Sequence, residues 1–311
     1  MIAFGPVPSR RLGRSLGINN IPPKVCTYSC AYCQLGRTRK MSAERQEFYR
    51  PREILGAVES KAEQAKETGE AIDYLAFVPD GEPILDINLG REIELLRPLG
   101  VKIAVITNSS LAWREDVRED LGRADWVSLK VDSTQDGVWR TIDRPHGGLR
   151  LTSILEGMLE FAKTYAGELV TETMLVRGVN DGADHVREVA DFLSRLGPAK
   201  AYLSIPTRPP AEQWVQAPDE DAINLAYQIL SERLADVEHL IGYEGNAFAS
   251  TGDVEEDLLG ITAVHPMREE AVAELLTRTG ADWEAVRELV DTGQLLETEY
   301  EGRKFFVRRL R

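Results

Sequence analysis

Residues 101–121 read Val-Lys-Ile-Ala-Val-Ile-Thr-Asn-Ser-Ser-Leu-Ala-Trp-Arg-Glu-Asp-Val-Arg-Glu-Asp-Leu. A short apolar, β-rich run at 101–107 ends in a polar turn and gives way to an amphipathic helical stretch at 112–121. Working outward, this strand–helix unit recurs. Before it lie 15–19 with a helix at 51–66, and 73–78 with a helix at 89–99. After it lie 126–131 with 152–165, 168–176 with 183–196, and 199–205 with 218–234. Such repetition predicts a parallel sheet, because each crossover helix returns the chain to the same end. Six units fall short of the eight of a closed barrel. The predicted fold class is α/β, a partial (βα)6 barrel, with a doubly wound sheet as the other arrangement that fits. In either case functional loops sit at the C-terminal ends of the strands.

After about residue 250 the pattern changes. Residues 268–277 read as a helix with Ala271, Val272, Leu275 and Leu276 at helical spacing, and Asp282 suits the N-cap of a second helix at 283–290. LLETEY and KFFVRR follow, joined by Glu301-Gly302-Arg303, a hairpin signal. The expected division is a barrel over 1–250 and a small winged-helix-like C-terminal domain over 253–311.

The 311 residues carry a net charge of −14, spread unevenly. Residues 1–52 hold ten Lys/Arg against two Asp/Glu. The acidic remainder argues against a broad nucleic-acid surface, since phosphates need cationic partners. The basic N-terminal end suits a local anionic ligand or is paired with that remainder. There is no run of about 18 apolar residues, so no membrane span is expected. The first residues lack the order of a secretory signal, so the expected location is cytoplasmic.

All three cysteines fall within eight residues, Cys26-Thr-Tyr-Ser-Cys30-Ala-Tyr32-Cys33, in the first strand-to-helix connection. A disulfide framework wants an even, dispersed set. Thiolates are the ligands expected of iron–sulfur clusters. Three of them reach three corners of a cubane and leave the fourth iron open to a substrate or cofactor. A structural zinc site normally closes with four ligands, and the nearest histidine in sequence is His146.

This C-x3-C-x2-C pattern, with an aromatic before the last cysteine, resembles the radical S-adenosylmethionine superfamily. The resemblance implies one [4Fe–4S] cluster on Cys26, Cys30 and Cys33. It also implies S-adenosylmethionine chelated to the open iron through its amino and carboxylate groups, and an external one-electron donor of flavodoxin or ferredoxin type. It implies an oxygen-sensitive enzyme that cleaves the cofactor to a 5′-deoxyadenosyl radical, which takes hydrogen from a substrate in RNA or small-molecule modification. Tyr32 joins the expected cofactor contacts. Asp80-Gly81-Glu82-Pro83, after the second strand, resembles the family's G-G-E-P loop, with Asp80 in place of its first glycine. Asn108, after the third strand, is a further expected contact, or a helix cap. Period-two alternation places Ser128, Lys130 and Asp132 on one face of the fourth strand, and Glu172 and Met174 on one face of the fifth. Of these, Ser128, Lys130, Asp132 and Met174 are expected to contact the cofactor.

Across the chain GPVPSRRLGRSLGIN, QLGRT, DRPHGG, RGVND, IGYEGNAFASTGD and ITAVHPM resemble the wyosine-synthase-like group. Wyosine synthases use a second cluster with its own cysteines, and this chain has none to spare. Arg144 and His146, in a Gly- and Pro-rich loop after the fourth strand, are the expected substrate contacts. Two other functions fit parts of the pattern: a cluster-sensing regulator whose tail binds DNA, and an activase that installs a glycyl radical on a partner. The helix at 283–290 disfavours the first, because Glu284 and Glu288, with Asp291 just beyond, face a phosphate groove with Arg287 alone.

Overall fold

The computed structural model describes residues 1–240, 253–264, 266–300 and 302–309. The chain opens with a hairpin, β1 (Ala3–Ser9) antiparallel to β2 (Gly13–Ile18). The cysteine loop follows and contains the short parallel pair β3 (Val25–Cys26) and β4 (Lys40–Met41). Then come α1 (Pro51–Glu67), β5 (Tyr74–Phe77), α2 (Leu89–Leu96), β6 (Lys102–Thr107), α3 (Glu115–Leu121) and β7 (Trp126–Lys130). They are followed by α4 (Asp136–Ile142), α5 (Leu151–Thr164), β8 (Glu168–Met174), α6 (Ala183–Leu196), β9 (Lys200–Ser204), α7 (Glu220–Ser231) and β10 (Val237–Leu240). Pro51 opens α1 at a position where its missing N–H leaves no hydrogen bond unmade.

The main sheet runs β1-β2-β5-β6-β7-β8-β9-β10. From β2 to β10 every neighbour is parallel. Each strand adds beside its predecessor without a reversal. A doubly wound sheet reverses at a switch point, so this is the partial barrel. The six expected βα units are present. Two strands of this sheet were not legible in the sequence. β1 is interrupted by Pro6 and Pro8, which only an edge strand tolerates. β10 is four residues with a charged member at the other edge.

The sheet's outer face packs Leu75, Ile103, Val105, Val127 and Leu129 against the helices. Its inner face is plugged by Trp126 and Tyr202 among small neighbours, Ala76 and Ala104. One residue pair further along the strands, the inward positions turn polar: Ser128, Lys130, Glu172 and Ser204. The change from apolar plug to polar rim sets the depth of the site.

Buried carboxyls also lie away from that rim, Glu92 among them. Glu92 on α2 is fully buried, with Asn20 Nδ2 at 3.4 Å from its Oε2. Burial, then the neighbouring Asp86, push its pKa up to about 9. Between its ordinary value and 9 the folded state holds a proton that the unfolded chain releases. Stability therefore falls as pH rises through that window. Glu92→Gln is expected to flatten this dependence and to raise the melting temperature at pH 8 by about 2–4 °C, roughly what 1 kcal/mol gives at this size. Thermal scans of both proteins at pH 5 and pH 8 check it.

The C-terminal part contains α8 (Val254–Val264), β11 (Met267–Arg268), α9 (Glu269–Thr279), α10 (Trp283–Asp291), β12 (Leu295–Tyr300) and β13 (Arg303–Arg308). Its sheet runs β11-β13-β12. Leu258, Val272, Leu276, Leu289 and Phe306 form a core of their own, against which Val7 of β1 packs. The Tyr300 hydroxyl donates to the Pro206 carbonyl at 3.3 Å. Residues 241–252 of the IGYEGNAFASTGD motif, and His265, lie outside the described residues.

Candidate active site

At the C-terminal ends of the strands the barrel encloses a cavity of about 330 Å³, within the roughly 300–1,000 Å³ of small-molecule sites. Cys26, Cys30 and Cys33 all line it. The loop carrying them is braced on one side by the 142–146 segment. Ala31 N donates to Ile142 O at 2.7 Å, Ser29 N to Asp143 O at 3.1 Å, and His146 N to Thr27 O at 2.8 Å. On the other side Glu212 N donates to Ala31 O at 3.0 Å.

Each sulfur has polar company. Tyr28 N and Asn108 Nδ2 lie 3.5 and 3.6 Å from Cys26 Sγ. Cys30 Sγ lies 3.5 Å from Asp143 Oδ1. Lys24 Nζ lies 3.9 Å from Cys33 Sγ. Burial, with Glu82 adding to it, pushes the Cys26 thiol up to about 12. Burial and then Asp143 raise Cys30 well above its ordinary value. Such thiols ionise only when a metal supplies the compensating charge. Among the described residues no three His, Cys, Asp or Glu side chains converge on one point as ligands of a single ion do. A cubane needs another arrangement, in which each thiolate takes its own iron. Three soft donors around one cavity, with Asp80 Oδ1 buried and unpartnered in its wall, fit a cluster together with a small polar ligand.

The Asp80–Pro83 loop is tied to the cysteine loop through backbone. Lys24 N donates to Asp80 O at 2.7 Å and Glu82 N to Val25 O at 3.2 Å. A Cβ at Gly81 would sit 1.9 Å from Val25 O, so glycine alone permits this approach. Glu82 accepts from Thr107 Oγ1 at 2.5 Å, Asn108 N at 2.7 Å and Ile84 N at 3.3 Å. Its carboxylate thus fixes the end of β6, and burial raises its pKa to about 7. Asp80 is also raised to about 7 by burial, against the pull of Lys24. Asn108 Nδ2 donates to Thr27 Oγ1 at 2.7 Å, which places this side chain on the cysteine loop.

On the floor, Lys130 Nζ lies 3.0 Å from Glu172 Oε1 and 5.0 Å from the centre of the Tyr32 ring. Arg11 pairs with the other Glu172 oxygen. Burial opposes ionisation of Glu172, but Lys130 and Arg11 outweigh it and hold the carboxyl well below its usual range. Burial likewise opposes the charge on Lys130, and Asp132 and Glu172 outweigh it. Lys130→Met leaves Glu172 with Arg11 as its one cationic partner and the Ser204 hydroxyl, 3.1 Å from Oε1. We expect a loss of about 3 kcal/mol, the low end for a buried pair broken on one side. Urea unfolding of the variant and the parent measures it.

The cavity gathers Tyr32, Asp80, Gly81, Glu82, Asn108, Ser128, Lys130 and Met174 with the cysteines. Four residues expected at the site lie off its wall. Pro83 starts the buried turn Pro83–Leu85. Asp132 falls beyond the end of β7 and turns behind the wall, where its carboxylate accepts from the Tyr32 hydroxyl and, at 2.7 Å, from Met174 N. Arg144 pairs outward with Glu212, and His146 Nδ1 accepts from Gly148 N at 3.2 Å. Their backbone braces the cysteine loop, while their side chains do not line the cavity. Sequence reasoning missed Lys24, Arg10 and the 204–208 segment, all of which do. The basic surplus of residues 1–52 was the one signal for the first two. The 204–208 segment has no motif.

A profile of the radical SAM superfamily matches residues 20–193. The chain is 48% identical over 312 residues to the UPF0026 protein MJ1312 of Methanocaldococcus jannaschii, covering 100% of this chain and 97% of that protein. Among solved structures, a radical SAM methyltransferase from Sphaerobacter thermophilus aligns with a TM-score of 0.54 at 18% identity, over 73% of this chain and 66% of that one. A structure of TYW1 with a lysine–pyruvate adduct bound aligns with a TM-score of 0.52 at 17% identity, over 71% and 74%. At these identities the likeness is one of fold.

Proposed function

The chain belongs to the radical SAM superfamily and, within it, to the UPF0026 proteins, and from that premise we propose that the cavity holds one [4Fe–4S] cluster on Cys26, Cys30 and Cys33 with S-adenosylmethionine beside it. The superfamily uses both groups. The observation that carries the reading is the convergence of three thiols with Asp80, Gly81 and Glu82 on one cavity at the barrel mouth. When bound, the reduced cluster supplies an electron that splits S-adenosylmethionine into methionine and a 5′-deoxyadenosyl radical, which takes a hydrogen atom from the substrate.

The chain's own residues position and exclude. Gly81 lets the Asp80–Pro83 loop lie against the cysteine loop. Glu82 and Asn108 lock that contact. Tyr32 ties the cysteine loop to Asp132 at the end of β7. Lys130, Glu172 and Ser128 offer polar contacts on the floor, above the apolar plug that closes the barrel below.

We assign 1–250 to the barrel and 253–311 to a winged-helix-like module. The order helix, strand, helix, helix, strand, strand supports this assignment. Its packing on β1 and its contact at Pro206 suit a brace for the barrel, and the acidic face of α10 does not suit DNA. The test is anaerobic reconstitution followed by electron paramagnetic resonance. The dithionite-reduced protein should show a cluster signal that changes on addition of S-adenosylmethionine. A cluster signal indifferent to the cofactor sinks the proposal.

A further inference from the structure

Residues 1–43 contain seven Lys/Arg and no Asp/Glu, in a chain whose net charge is −14. Three of these cations, Arg37, Arg39 and Lys40, stand exposed on the outer side of the cysteine loop. The short strands β3 and β4 pair in parallel with Cys26 opposite Met41 and Val25 opposite Lys40. Adjacent strands lie about 4.8 Å apart. Met41, 38% exposed, is therefore one strand spacing from a cysteine that lines the cavity, and Lys40 is its neighbour. Arg37, whose side chain is 72% exposed, shares Glu212 with Arg144, so two guanidiniums stand on one carboxylate and leave a net positive charge. The loop thus presents exposed cations beside an exposed Met41, one strand spacing from Cys26. Residues 53–311 hold 27 Lys/Arg against 49 Asp/Glu, so their net charge repels an acidic protein.

We propose that this face, Arg37, Arg39, Lys40 and Met41 with Arg144 at its rim, is the docking surface for a small acidic one-electron carrier protein. The proposal rests on the cluster reading above, which requires an electron from outside. The carrier gives up one electron, the oxidised cluster takes it, and no bond forms or breaks. Opposed charges bring the carrier to a face one strand spacing from Cys26. Charge pairing of this kind speeds association by about 10–1,000-fold and is weakened by salt.

The test uses the reconstituted holoprotein and an acidic flavodoxin reduced beforehand. Bleaching of the cluster absorbance reads electron transfer directly, whether or not the cofactor is cleaved. The parent should react at a rate that falls steeply with salt. The double variant R39E/K40E should react about 10–100-fold more slowly at low salt, with a flattened salt dependence. Its reduction by dithionite, which needs no docking, should match the parent. R39Q/K40Q, milder for folding, should fall between. Carbodiimide cross-linking should join Lys40 to a carrier carboxylate, and this readout needs no cluster. The control R303E/K304E, on the C-terminal hairpin, should behave as the parent. Parental rates in R39E/K40E, or a salt-independent parental rate, would overturn the docking surface while leaving the cluster reading intact. Slowing in R303E/K304E alone would place docking elsewhere and overturn it equally. A reconstituted chain without a cluster would instead overturn the reading beneath it.

Discussion

Cys30→Ala is expected to strip the chain of its cluster and end cofactor cleavage. Reconstituted parent should hold about four irons, and the variant a small fraction of that. Altering a residue behind a metal ligand costs about 10–100-fold in affinity. Losing one of three ligands sets a floor of about 100-fold, so 5′-deoxyadenosine should drop below about 1% of the parent. The side chain is small, and the loop's backbone bonds to Ile142, Asp143 and Glu212 do not depend on it. Far-ultraviolet circular dichroism should therefore be unchanged. Cys30→Ser, which keeps a donor toward Asp143, should fare no better, because hydroxyl oxygen is a poor substitute for thiolate on iron. Iron analysis after gel filtration decides the matter, and parental iron in either variant contradicts the assignment.

The second large effect is expected from a single methyl group. In Gly81→Ala the added carbon would meet Val25 O at 1.9 Å and Ile21 Cδ1 at 2.8 Å. The first is backbone and cannot swing away. The loops must separate, and the bonds from Lys24 N to Asp80 O and from Glu82 N to Val25 O are lost or lengthened. Overpacking of this kind costs about 1–3 kcal/mol or more, so the melting temperature should fall by roughly 5–10 °C. The separation also displaces Glu82 from Thr107 and Asn108, and Asn108 from Thr27. S-adenosylmethionine affinity should weaken by at least about tenfold, or 1.4 kcal/mol. Equilibrium dialysis against labelled cofactor measures it. Parental affinity and stability would show that the loop contact is not needed.

Periodicity carried most of the fold, because buried parallel strands and amphipathic crossover helices repeat the same two patterns. It failed at the sheet's edges. β1 contains two prolines, which an edge permits and a strand pattern does not show. β10 is too short to display a period. At the site, motifs placed the cysteines and the Asp80–Pro83 loop at the cavity because backbone geometry confines those residue types. Ser128 and Lys130, on one face of β7 by alternation, line the cavity, whereas Asp132 lies beyond the end of that strand. Arg144 and His146 drew attention through their Gly- and Pro-rich setting, yet it is the backbone of that segment that serves the site. The 204–208 wall carries no motif, because a residue that lines a cavity by topology alone leaves no local signature.

The three-thiol cavity is expected to make this chain a cofactor-cleaving enzyme. Anaerobically reconstituted protein, given dithionite and S-adenosylmethionine, tests it by chromatography of the products. 5′-Deoxyadenosine and methionine are expected in equal amounts, both abolished in Cys30→Ala. Cluster-replete protein that leaves S-adenosylmethionine intact, or cleaves it to other fragments, would contradict it.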